Sequence, residues 1–162
     1  MQENIPMTND NRTGARFRLV PCGRDGQPLE PIGPLPPAIL AINEMSAEFY
    51  SRTVYEPPWN GYLALSGDEV VGSGGFVGPP EDNRVEIAYG SLPGQEGRGH
   101  ATRTATTLIA IAHAARPGIE IYAKTLPEDG PSPAILKRLG FRLIGTAIDH
   151  EIGLAWAWLL LT

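Results

Sequence analysis

One passage of this chain carries residue types from which a ligand site can be built: Val85-Glu-Ile-Ala-Tyr-Gly-Ser-Leu-Pro-Gly-Gln-Glu-Gly-Arg-Gly-His-Ala-Thr102. It reads as a strand running into a glycine-rich turn that opens a helix. The first backbone N–H groups of a helix have no partner within it, and the helix dipole adds about half a positive charge at that end. Together they form an anion site, suited to a pyrophosphate, that needs no side chain. Gly97 and Gly99 let the backbone approach such a group closely, and Arg98 adds a charge-assisted bond. A tight connection with no ligand is the competing reading. A dinucleotide fingerprint requires G-x-G-x-x-G/A, and Thr102 stands where its third glycine or alanine belongs. That fingerprint also follows the first strand of a parallel sheet, whereas this turn lies past the chain's midpoint, after a hairpin. A P-loop fails because no Gly-Lys-Ser/Thr is present.

Upstream of the turn, Glu86 shares strand parity with Ala88 and Gly90, so small neighbours leave room for a ligand. Val85, Ile87 and Tyr89 fill the other face. A carboxylate half-buried there, its pKa raised by burial, suits a general base acting directly or through a water. A pairing with a basic side chain, or exposure to solvent, is the alternative.

The elements that must position these groups follow from periodicity. Arg16 to Val20 alternates as a short strand. A proline- and glycine-rich connection, Pro21 to Pro37, leads to a helix over Ala38 to Tyr50, with Ile39, Ile42, Met45 and Phe49 at helical spacing. Glu56-Pro-Pro-Trp-Asn60 is a loop, since neither proline tolerates a helix interior or a central ladder. Tyr62 to Leu65, the turn Ser66-Gly67-Asp68, and Glu69 to Val77 read as a hairpin. Arg84 to Leu92 is a further strand, in which Gly90 predicts a bulge or a close backbone approach. A helix over Gly99 to Ala115 presents Ala101, Ala105, Leu108, Ile109 and Ala112 on one face. Ile119 to Thr125 is a strand, Ser132 to Leu139 a short helix closed by Gly140, and Phe141 to Ala147 and Leu154 to Leu161 are two last strands. The order β, α, β, β, β, α, β, α, β, β indicates an α/β (α+β) architecture.

At 162 residues the chain is expected to form one domain over 15–162, preceded by a polar, mobile segment over 1–14. Hydrophobic residues make up 42% and charged ones 19%, an ordinary globular balance. No apolar stretch approaches the roughly 20 residues of a membrane helix, and the polar start lacks the centre of a secretory signal. The single cysteine, Cys22, excludes an internal disulfide and a multi-cysteine zinc site. No metal, membrane or nucleic-acid partner is expected: a net charge of −5 with no basic run lacks the face that neutralises phosphates. Cytoplasmic residence is the default, and oligomeric state is silent.

Glu86-Ile-Ala-Tyr89 followed by Gly97-Arg-Gly-His-Ala-Thr102 resembles motif A of the GNAT N-acetyltransferases, whose hallmark is Gln/Arg-x-x-Gly-x-Gly/Ala. Gly99 and Ala101 match its last two positions; Glu96 departs from the first. Leu126-Pro-Glu-Asp-Gly-Pro-Ser-Pro-Ala-Ile-Leu-Lys-Arg-Leu-Gly-Phe141 is similar to motif B, Asn-x-x-Ser before a helix ending Leu-Gly-Phe, with Asp129 for Asn and Ser132 matching. The resemblance covers roughly Tyr62 to Leu161, and the branch it most resembles contains the ribosomal-protein alanine acetyltransferases.

The resemblance implies a GNAT fold, a mixed and mostly antiparallel sheet flanked by helices, with an acetyl-CoA cleft between splayed central strands. It places the pantetheine arm along Tyr89, Gly90, Ser91 and Leu92 and the pyrophosphate over Glu96, Gly97, Arg98, Gly99, His100, Ala101 and Thr102. Asp129 and Ser132 of motif B join this cofactor set. It implies acetyl transfer to a primary amine, on a small molecule or a protein N-terminus, by direct attack in a ternary complex. Glu86 is then the base. Many members use a tyrosine acid on the motif B helix, but Leu136 occupies that position. Ser132 stands in as a hydrogen-bond donor to the sulfur, against the reading of Ser132-Pro133 as an ordinary N-cap and N1 pair. His100 adds charge near the phosphates or is simply a surface residue. His150, in the turn Asp149-His150-Glu151, marks a tight turn or an acidic greeting for a cationic substrate. Tyr55 and Trp59 line the acceptor side or pack on the sheet; His113 is helix surface and Cys22 structural. A non-catalytic acyl-CoA-binding module and, further off, a nucleotide-binding regulatory domain remain the rival functions.

Overall fold

The computed structural model describes residues 16–161 together with the short strand β1, Thr8–Asn9. The expected mobile segment over 1–14 lies outside the described residues except at β1, where Thr8 and Asn9 pair with Phe17 and Arg16. The remaining elements are β2 (Arg16–Pro21), α1 (Pro37–Arg52), β3 (Gly61–Ser66), β4 (Glu69–Phe76), β5 (Arg84–Ser91), α2 (His100–Ala115), β6 (Glu120–Thr125), α3 (Pro131–Arg138), β7 (Arg142–Asp149) and β8 (Gly153–Leu160). They form one mixed sheet in the order β1-β2-β3-β4-β5-β6-β8-β7. Among the described residues only β5 and β6 are parallel. This is the architecture expected from the sequence.

Strand alternation divides the apolar residues between two faces. Tyr62 and Ala64 of β3, with Val85 and Ile87 of β5, face a core shared with Leu108, Ile111 and Ala112 of α2 and Leu136 of α3. Leu63 and Leu65 face the other side, against Ile39 of α1 and Cys22. Helix α2 lies close to the sheet because Gly74 has no side chain: a Cβ there would come within 2.7 Å of Thr104 Cγ2. Thr104 and Thr107 are buried on α2, and each hydroxyl donates to the carbonyl four residues back, His100 and Arg103. In α1 the buried set is Ile39, Asn43 and Tyr50, while Met45 is 58% exposed. Met45 nevertheless lies on the expected face: it lines the same cleft as Ile42 and Phe49, so that face borders an opening as well as a packed core.

Helix α3 ends as the Leu-Gly-Phe sequence predicts. Gly140 adopts φ +97°, its N–H donates to Lys137 O and the Phe141 N–H donates to Leu136 O. This six-to-one closure brings Leu136 and Phe141 into the same core. Burying Leu136 completely contributes roughly 1.5–3 kcal/mol.

The expected bulge at Gly90 is absent. Gly90 pairs in register with Ser73, and the irregularities lie instead at Ala64/Leu65 and Leu143/Gly145. The close approach exists, but from across the ladder: a Cβ on Gly72 would meet Gly90 O at 2.5 Å.

Candidate active site

Strand β5 pairs with β6 only from Arg84 to Glu86, opposite Glu120 to Tyr122. From Ile87 onward β5 continues along β4, while Ala123 to Thr125 of β6 pair with β8. Each strand keeps its antiparallel neighbour, the more stable pairing, so the one parallel seam opens. The Glu86 carbonyl accepts from Val77, just past β4, and the Leu92 N–H donates to Val71 of β4. Backbone direction alternates along a strand, so the N–H and C=O groups of Ile87, Tyr89 and Ser91 face the gap. Gly90 is turned toward β4, and Leu92 has its N–H committed to Val71 and its carbonyl to the Gln95 N–H. Of the four residues assigned to a pantetheine arm, Tyr89 and Ser91 thus present free backbone groups.

The gap ends at the β5–α2 turn. Gly94, Gly97 and Gly99 have φ of +86°, +75° and +82°, values that favour glycine. A Cβ on Gly97 would project into open space. Among the described residues, the N–H groups of Gly97, Gly99, Ala101 and Thr102 are shown with no acceptor, while that of Arg98 turns back toward Gln95. The first turn of α2 holds no acidic residue. Glu96 does not face these amides: its carboxylate accepts the Gly94 N–H at 2.8 Å and so shapes the turn. Gln95 ties the turn to Glu69 at 2.8 Å, and Arg98 Nη1 reaches Gln95 Oε1 at 3.4 Å, leaving the Arg98 side chain exposed.

His100 is not a surface residue. It is 3% exposed, stacked on Phe17 with ring centroids 6.4 Å apart, and its Nδ1 lies 3.2 Å from Arg103 Nη2. Arg103, absent from the expected site, donates to the Arg98 carbonyl at 2.7 Å and lies over Phe17 at 5.6 Å. It braces the glycine-rich turn through that carbonyl. The signal for it was a cationic residue in the first helical turn, where the dipole disfavours positive charge unless an anion is near.

At the closed end of the gap, Glu86 is half-buried and faces Lys124 of β6, with Nζ 3.6 Å from Glu86 Oε2. The same ammonium is 2.9 Å from Asp149 Oδ2. Asp149 also accepts the N–H groups of Glu151 and Ile152, closing the β7–β8 turn. The Lys124 hydrogen bond, with that of Glu151, brings the Asp149 pKa down to about 2. Desolvation raises that of Glu86, with Lys124 opposing it and the Asp149 charge adding to it. Burial works against the Lys124 charge, yet its bond to Asp149 and the Glu86 charge outweigh this, so its pKa is raised. Two clefts meet at this carboxylate. One, of about 630 Å³, runs between α1 and the sheet past Tyr50, Ala88, Lys124 and Asp149. The other, of about 780 Å³, is lined by Glu81, Asp82, Arg84, Glu120 and Tyr122. They share Phe49, Val77 and Glu86.

The sequence model of the Acetyltransferase (GNAT) domain matches residues 35–142. The chain belongs to the GNAT family. It is 30% identical over 114 residues to the uncharacterized N-acetyltransferase p20 of Bacillus licheniformis, a match spanning 70% of this chain and 61% of that protein. In fold it is similar to a GNAT-family acetyltransferase from Bacillus anthracis (TM-score 0.63, 13% identity, 96% of this chain and 98% of that one). It is also similar to Mycobacterium smegmatis RimJ in complex with CoA-disulfide (TM-score 0.66, 18% identity, 91% and 83%).

The other expected residues of this GNAT domain fall on both sides of the line between site and scaffold. Ser132 is not a cap: Gly130 holds that position, Pro131 is N1, and no side chain caps the helix. The Ser132 hydroxyl is exposed and has no protein partner among the described residues. Asp129 is exposed in the preceding loop. Trp59 is 5% exposed and packs edge-on against Phe76 at 5.1 Å. Tyr55 donates to the Cys22 carbonyl at 2.8 Å and lines neither cleft. Trp59 thus packs on the sheet, one of the two readings its sequence allowed, and Tyr55 is tied to the chain just after β2. His150 is exposed on the β7–β8 turn at the cleft edge. His113 is partly buried, and its Nε2 is covered. Burial and the Asp25 charge push the Cys22 thiol up to about 12, which fits a structural role. Among the described residues no His/Cys/Asp/Glu group of metal-binding form occurs, and no helix is long and apolar enough to cross a membrane.

Proposed function

We propose that this protein transfers an acetyl group from acetyl-CoA to a primary amine by direct attack in a ternary complex. The observation that carries the reading is the seam opening immediately after Glu86 and ending at a turn of unpartnered amides. The fit to the cofactor is supported by the free N–H groups of Gly97, Gly99, Ala101 and Thr102, an array suited to a pyrophosphate. A second support is the Tyr89 hydroxyl, buried with no hydrogen-bond partner among the described residues. The backbone of Tyr89 and Ser91 would hold the pantetheine amides in the manner of an added strand. The bound thioester would supply an activated acyl group.

The chain's own groups do the rest. Glu86 accepts the proton that an ammonium must lose before it attacks. Its raised pKa brings it nearer working pH, and three carboxylates besides its own, with Arg84 paired to Glu120 at 3.0 Å, line the adjoining cleft. That sign of charge favours a cationic acceptor, either a small molecule or a protein N-terminus. Ser132 Oγ, free of any capping duty, is the hydrogen-bond donor for the departing sulfur.

A non-catalytic acyl-CoA-binding module is the second reading, favoured by Leu136. It occupies the position of the usual tyrosine acid and is wholly buried, so it has neither proton nor access. Calorimetry with coenzyme A, followed by thiol release from acetyl-CoA with a panel of amines and N-terminal peptides, separates the two. Binding with amine-dependent release supports the transferase; binding with no release from any amine supports the module; no binding removes both.

A further inference from the structure

Lys124 was not among the residues expected from the sequence to take part in chemistry. Its position is unusual for a lysine, since its side chain is only 17% exposed in the midst of the open seam. It stands on β6 two residues beyond Tyr122, the strand partner of Glu86, so its side chain and that of Glu86 project to the same face. Between them β5 and β6 no longer pair. The ammonium therefore crosses the gap and touches carboxylates on both sides, Glu86 at 3.6 Å and Asp149 at 2.9 Å.

We propose that Lys124 is a positioning residue for acetyl transfer: anchored by Asp149 of the β7–β8 turn, it holds the Glu86 carboxylate, charged, at the point where the two clefts meet. The proposal rests on the reading of Glu86 as the base.

An anchor is needed because a lone lysine at this depth would turn toward water, and its stem has the freedom to do so. Asp149 is itself fixed by the N–H groups of Glu151 and Ile152 and cannot follow Lys124 away. The other groups facing Glu86 are few. Tyr122 and Glu120 come from β6, and His150 and Glu151 from the β7–β8 turn. Arg84, Glu81 and Asp82 lie on the adjoining cleft, and Tyr50 comes from α1. Arg84 is taken by Glu120 at 3.0 Å, so Lys124 is the cation in contact with Glu86. Without it, desolvation and the Asp149 charge act on Glu86 in the same direction, toward the neutral acid that cannot accept a proton.

The test is a carbon-13 carboxyl NMR titration of Glu86 in the ligand-free protein, assigned with Glu86→Gln. It is run on wild type, Lys124→Met, Lys124→Gln and Lys124→Arg, with thermal melting as the check on folding. The neutral variants should raise the Glu86 midpoint by about one pH unit, and Arg should hold it near the wild-type value. The acid limb of kcat/KM, measured with acetyl-CoA and an alanyl tripeptide or spermidine, should move with it. A midpoint unchanged in both neutral variants, or an equal shift in the Arg variant, overturns the proposal. Full turnover by Glu86→Gln would instead remove Glu86 as base, and the NMR coupling would still be read independently.

Discussion

Glu86 is the last residue of β5 to pair with β6, and its partner is Tyr122. Beyond this pair the two strands separate, so the candidate base stands at the apex of the gap rather than along one wall. The neighbouring strands β4 and β8 remain hydrogen-bonded, which makes the opening a fixed feature of the sheet. A reacting group placed at such an apex is held by continuous ladder on one side and reaches free backbone on the other.

Replacing Glu86 by Gln should lower kcat/KM for amine acetylation about 100- to 1,000-fold near neutral pH and abolish its acid limb. With the proposed role of Glu86 as a carboxylate base, wild-type activity should rise as pH increases through its raised pKa. Coenzyme A affinity, measured by calorimetry, should stay within about twofold. A variant with an unaltered pH profile would show that some other group takes the proton.

Gly99 begins α2 at φ +82°, and a Cβ there would meet Arg103 Nη1 at 3.0 Å. Gly99→Ala should cost about 1–2 kcal/mol from the left-handed backbone alone. Displacing Arg103 would also loosen the Arg98 carbonyl it holds. Coenzyme A should bind about tenfold more weakly, with kcat at saturating cofactor little changed; equal affinity by calorimetry would count against the anion site at this turn.

Ser132 makes no capping bond, so Ser132→Ala should leave the melting free energy within about 0.5 kcal/mol of wild type. Any loss of kcat then reports chemistry at the sulfur. A drop of a full kcal/mol or more in chemical denaturation would instead restore a structural role.

Asp149 has its pKa lowered from 3.8 to about 2, chiefly by its bond from Lys124. A group whose folded pKa is depressed adds stability above its unfolded value and loses it as pH falls through the folded one. Asp149→Asn keeps the amide acceptor for the turn but removes the charge. It should cost about 1 kcal/mol at pH 7, with the difference shrinking between pH 4 and 2. Denaturation curves across that range check both the size and the direction.

The glycine-rich turn, the parity that places Glu86 beside Ala88 and Gly90, and the closure of α3 by Gly140 were all legible in the chain. Each depends on neighbours within a few residues. The errors share the opposite property. Gly90 was expected to mark a bulge or a close backbone approach; the approach is there, yet the residue that needs to be small for it is Gly72, across the ladder. Trp59 and Tyr55 were left between the acceptor side and packing on the sheet, and long-range contacts bury one and tie the other to Cys22. His100 and Ser132 exchanged characters: the histidine is inside and the serine is free.

By itself the amino-acid order determined the alternation of strands and helices, the glycine-rich turn before α2 and the face on which Glu86 lies, because backbone propensity and side-chain period are local. Tertiary structure alone decided where β5 and β6 part, and that Lys124 and Asp149, 25 positions apart in the numbering, converge on Glu86. Coulomb attraction and desolvation act through space, and only the folded sheet sets those distances.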